Sequence, residues 1–83
     1  MGFANRYNNQ TRRQHRITRG SVTFTVVSRW RTSRATFIGW RTTVSCEGHD
    51  AKTYDAFIAP DRRDLAEQQS IDKYIDDLSL DLR

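Results

Sequence analysis

Two stretches of this chain alternate apolar and polar residues with a period of two. That pattern suits a β-sheet with one buried face and one wet face. In residues 21–31, Val22, Phe24, Val26 and Trp30 share one parity. Ser21, Thr23, Thr25, Arg29 and Arg31 share the other, and Val27 breaks the pattern. In residues 35–46, Ile38, Trp40, Val44 and Cys46 fall together, opposite Phe37, Arg41, Thr43 and Ser45. Thr32-Ser33 joins the two runs, so the pattern predicts an antiparallel hairpin. Gly39 within the second run predicts a bulge or a close backbone approach. Glu47, Gly48, His49 and Asp50 form a turn cluster. Residues 53–59, with Tyr54, Phe57 and Ile58, predict a third, shorter strand.

The periodicity then changes. Pro60-Asp61 opens a helix, with Asp61 as its N-cap and Asp64 in the first turn, where the helix dipole favours an anion. Ile71, Tyr74, Ile75, Leu78 and Leu82 form an apolar stripe that docks on the sheet. Gln68 and Gln69 interrupt the stripe, and Ser70 predicts the start of a second helix. The expected fold class is α+β: a three-stranded antiparallel sheet with a C-terminal helix packed on one face. Residues 21–83 make one small domain.

Residues 1–20 contain Arg6, Arg12, Arg13, Arg16 and Arg19, with only scattered apolar residues and no helical or strand period. They read as a basic N-terminal arm, untied to the core and ordered by a partner.

Charge is segregated along the chain. Residues 1–46 hold nine arginines and no acidic residue, while residues 47–83 hold ten acidic and five basic residues. The net charge of +4 therefore hides a strong dipole. A basic front half is an electrostatic footprint for a polyanion or for an acidic protein surface. Twelve of the fourteen basic residues are Arg, whose planar fork grips phosphate or carboxylate bidentately. At 83 residues the core is thin, since a chain of this size buries only about 60–65% of its unfolded surface.

Several chemistries find no support in the sequence. The single cysteine, Cys46, forms no intrachain disulfide and reads as a small core residue. Cys46, Glu47, His49 and Asp50 carry metal-capable atoms, but a structural zinc site needs four ligands, usually from paired Cys or His motifs. No metal and no cofactor are expected. His15 sits in the arm, and His49 beside Asp50 has no nucleophile motif near it. With no phosphate-cradling glycine loop either, the chain is not expected to be an enzyme. There is no apolar run of membrane-spanning length and no secretory h-region, so a cytoplasmic protein is expected.

Strand parity puts Arg29, Arg31 and Arg41 on the wet face, with Arg34 beside the turn. Phe37 is exposed by parity and placed for base stacking. Trp30 and Trp40 fall on the core side. Together with the arm residues Arg12, Arg13, Arg16 and Arg19, these arginines define one cationic surface. A two-stranded ribbon fits a DNA major groove, and Arg is the commonest reader of guanine edges. The helix carries Asp61, Asp64, Glu67, Asp72, Asp76, Asp77 and Asp81. That acidity argues against a double-stranded-RNA-binding domain of the αβββα kind and agrees better with sheet readers whose helix lies behind the sheet. The expected function is a small non-enzymatic nucleic-acid-binding accessory protein, contacting DNA or RNA through the sheet face and arm. The alternative is a protein-binding modulator, such as a phage-type inhibitor docking on a nucleic-acid-processing complex through its charge dipole.

Overall fold

In the computed structural model, residues 12–32 and 38–80 are described. The alternating runs are strands, Val22–Thr32 (β2) and Ile38–Cys46 (β3), paired antiparallel from Phe24↔Cys46 to Thr32↔Ile38. Their register is unbroken through Arg31↔Gly39, so Gly39 makes no bulge. The expected turn at Thr32-Ser33 is corrected at its first residue: Thr32 is still in β2, and Ser33 lies outside the described residues. The next strand, Lys52–Ala56 (β4), pairs antiparallel with β3 and ends before Phe57, which is 76% exposed.

The sheet has four strands and not three. Arg12–Arg19 forms β1, antiparallel to β2 along its whole length, and the strand order is β1-β2-β3-β4. Gly20 and Ser21 make the connection, with Gly20 at φ 63°, the left-handed conformation that tight hairpin turns require and glycine supplies. Residues 12–19 are thus part of the sheet, although the arm reading left them untied. The reason is chemical. The positions of β1 that face the core side are Arg13, His15, Ile17 and Arg19, so no apolar alternation marks the strand.

After a 3₁₀ turn at Pro60–Arg62, one continuous helix, Arg63–Leu78 (α1), crosses the sheet. Asp61 lies inside the 3₁₀ turn, and neither this turn nor α1 has a side-chain N-cap. Ser70 starts no new helix. It is buried, and its hydroxyl donates back to the Ala66 carbonyl at 2.9 Å. The helix ends in a Schellman turn: Ser79 takes φ 55°, and the Leu80 N–H reaches the Ile75 carbonyl at 3.0 Å.

Phe24, Val26, Val44, Ile71, Tyr74 and Ile75 form the core, with Ile17, Val22, Cys46, Tyr54, Leu78 and Leu80 packed around it. Phe24 and Tyr74 meet edge to face, ring centroids 5.9 Å apart. Both tryptophans lie on the core parity, as expected, but unequally. Trp40 is fully buried, its indole N–H donating to the Ala59 carbonyl at 3.2 Å. Trp30 is half-buried against it, with centroids 5.3 Å apart. The Arg63 guanidinium lies over the Trp40 ring at 5.5 Å, a cation–π contact. Because α1 covers one side of the sheet, the other side is left uncovered by any described element.

Candidate nucleic-acid interface

The pleat sorts the arginines of the sheet into two sets. Successive side chains of a strand point to opposite faces, so the adjacent residues Arg12 and Arg13 part company. Arg13 and Arg19 point toward the helix. Arg12, Arg16, Arg29, Arg31 and Arg41 point to the open face. Arg34 and Phe37 lie outside the described residues.

The inner arginines meet the acidic helix. Arg13 Nη2 donates to Glu67 Oε1 at 2.5 Å and to Asp64 Oδ1 at 2.6 Å. Arg19 pairs with Asp72 and donates to Gln68 Oε1 at 2.5 Å. Glu67 is 0% exposed; Ser28 Oγ donates to its Oε2 at 2.5 Å, and His15 Nε2 lies 3.3 Å from its Oε1. A carboxylate without water needs this many partners, because an uncompensated buried charge costs several kcal/mol. Burial works against the Arg13 charge, but the hydrogen bonds to Glu67 and Asp64 outweigh it and raise its pKa. The same Arg13 hydrogen bond holds Asp64 below the usual carboxylate range. Glu67 was missed as a structural residue in the sequence. The available signal was its place one turn ahead of Ile71, inside the apolar stripe, where a bare carboxylate implies a buried cationic partner.

The open face is built differently. Arg12 pairs with Arg29, Arg29 with Arg41, and Arg41 with Asp55, so these four residues form one row across all four strands. Like charges directly opposite on neighbouring strands repel, and Arg29 has an arginine on each side. Asp55 closes the row. Arg41 Nε donates to Asp55 Oδ1 at 2.7 Å and Nη2 to Oδ2 at 3.0 Å, a bidentate fork. That bond holds Asp55 below the usual carboxylate range and raises Arg41 further. Arg12, Arg16, Arg29 and Arg31 make no ion pair among the described residues.

Arg12, Arg29, Arg31 and Arg41 border one shallow depression floored by Val27, Thr43 and Thr53. Arg16 stands toward the other end of the face among Thr23, Thr25, Ser45 and Glu47. The neighbouring hydroxyls pair across strands, Thr18 with Thr23 and Thr43 with Thr53, both at 2.9 Å. The two-stranded ribbon imagined for a major groove is not free. Strands β2 and β3 are the central pair, flanked by β1 and β4. Four strands at ~4.8 Å spacing measure about 14 Å between the outer strand axes, wider than the ~12 Å major groove.

Other candidates are dispersed. His49, Glu47 and Asp50 are exposed in the β3–β4 turn, and Cys46 is half-buried with its Sγ 3.9 Å from the Tyr74 hydroxyl. Among the described residues no three His, Cys, Asp or Glu side chains gather as a metal ligand set, and no helix is long and apolar enough to cross a membrane. No protein-family model, curated protein or solved structure matches the chain.

Proposed function

We propose that this protein is a small non-enzymatic nucleic-acid-binding accessory protein, and that it holds the sugar–phosphate backbone against the open sheet face. The observation that carries the reading is the arginine row, Arg12–Arg29–Arg41, with Arg31 beside it and Arg16 farther along the same face. Side-by-side arginines repel one another, and a polyanion laid across them removes that repulsion while accepting charge-assisted bonds. The rest of the face offers hydroxyls suited to phosphate oxygens, from Thr25, Thr43, Ser45 and Thr53. The sheet is too wide for the major groove, so phosphate contact carries the affinity and base edges contribute little. The inner arginines Arg13 and Arg19 have no part in it, being engaged with α1.

Purification behaviour tests the reading. Protein isolated at low salt should carry excess 260 nm absorbance that a high-salt wash removes. The triple variant Arg12→Thr, Arg29→Thr, Arg31→Thr should fold and come off the column clean at any salt. Wild-type protein that is clean at low salt, and silent in a labelled-oligonucleotide titration, would sink the proposal.

A further inference from the structure

Asp55 is the one acidic residue in the row of arginines, and its geometry is that of a ligand. Its two carboxylate oxygens meet Nε and Nη2 of Arg41 side-on, at 2.7 and 3.0 Å. A phosphate takes an arginine fork by the same two parallel bonds. Asp55 thus occupies on Arg41 the position that a backbone phosphate would occupy on Arg29 or Arg12. The pair is solvent-accessible, with side chains 42% and 38% exposed, so an incoming anion can reach it without opening the fold. It also lies at the β4 edge, the end of the row farthest from β1.

Resting on the nucleic-acid reading above, we infer that Asp55 is an internal phosphate mimic that occupies Arg41 and limits the binding track to Arg12, Arg29, Arg31 and Arg16. The device sets affinity and direction together. A bound strand is anchored on the β1–β2 side and turned away at the β4 edge, where it would have to displace one carboxylate to gain one phosphate contact. Arg41 therefore adds nothing to the count of phosphates neutralised while Asp55 is charged.

The test is a salt titration of binding to a labelled oligodeoxythymidine by wild type, Asp55→Asn, Arg41→Ala and the double variant. Asp55→Asn should bind more tightly and steepen the slope of log K against log salt by about 0.7, one further phosphate on a single strand. Arg41→Ala should change the wild-type slope little, yet remove the whole gain in the Asp55→Asn background. Asp55→Thr, which suits a strand, should reproduce the gain if the asparagine variant folds poorly. Asp50→Asn makes the same charge change in the β3–β4 turn and should leave the slope unchanged. Wild-type protein that binds, with both Asp55 variants unchanged in slope and affinity, overturns the inference and leaves the nucleic-acid reading intact. Failure of wild type and both Asp55 variants alike to bind overturns both. Binding gained only in the Asp55 variants contradicts the nucleic-acid reading of the wild type and, with it, the four-arginine track.

Discussion

Arg13 Nη2 lies 2.5 Å from Glu67 Oε1, and through that bond the first strand is fastened to the buried side of the helix. Its neighbour Arg12 points the other way and pairs in register with Arg29 on the open face. Two consecutive arginines are therefore placed differently, one fastened to the helix and one on the open face.

That separation predicts opposite phenotypes. Arg13→Met leaves the buried Glu67 carboxylate with only Ser28 and His15 beside it and should cost about 3 kcal/mol in urea unfolding. Arg12→Ala should stay within about 0.5 kcal/mol of wild type and lose oligonucleotide affinity instead. The Arg13→Met, Glu67→Leu double variant should be more stable than the sum of the single effects, because it leaves no unpaired buried charge. Equal stability of the two single arginine variants would show that β1 is not anchored in this way.

The two described tyrosines hold an alkaline prediction. Burial raises Tyr74 to about 12, helped by its contact with Cys46, and burial together with the Asp77 hydrogen bond raises Tyr54 as well. The folded state favours the neutral phenols, so their contribution is intact below about pH 10, the ordinary tyrosine value. It should be lost as pH climbs from there toward 12. Absorbance at the tyrosinate band, followed with the unfolding midpoint, should show both changes together. Normal titration of both groups in the folded protein would refute it.

At the acid end, Asp55 and Asp64 are both held low by their arginines. Stability from these pairs is complete above the ordinary aspartate value of about 4 and should fall as the pH drops below it. Asp55→Asn and Asp64→Asn should each flatten that acid limb of a midpoint-against-pH plot. An unchanged limb in both variants would contradict the assignment.

Thr42 is fully buried opposite Ser28, and its hydroxyl has no hydrogen-bond partner among the described residues. Thr42→Val should therefore raise stability by about 1 kcal/mol, by removing an unsatisfied polar group. A lower melting temperature would mean that the hydroxyl is satisfied in solution.

Elements whose buried positions are apolar were legible in the sequence. Val22, Phe24 and Val26 gave β2 its parity, Trp40 and Val44 did the same for β3, and Ile71, Tyr74 and Ile75 marked the helix. The first strand was illegible because Arg13, His15 and Arg19 face the helix where Val or Ile would ordinarily stand. Their partners, Glu67, Asp64 and Asp72, lie some fifty residues away, beyond any local pattern. The same long-range pairing explains Gln68, while Ser70 is explained locally by its bond back to Ala66. They look like an interruption of the stripe, yet Gln68 accepts from Arg19, and Ser70 is buried within an unbroken helix. The arginines of the open face were legible by parity from β2 and β3. Their union with Arg12 and Arg16, and the capture of Arg41 by Asp55, needed the register.

The most direct measurement is the salt dependence of oligonucleotide binding by the wild-type protein and by Arg29→Ala. Four open-face arginines with no ion pair among the described residues imply about four phosphates neutralised, a log–log slope near −3 on single strands. A fourfold rise in salt should then weaken binding about fiftyfold, and Arg29→Ala should make the slope shallower by about 0.7. A flat salt response, or a slope that Arg29→Ala leaves untouched while Arg13→Met reduces it, would contradict binding through the open face.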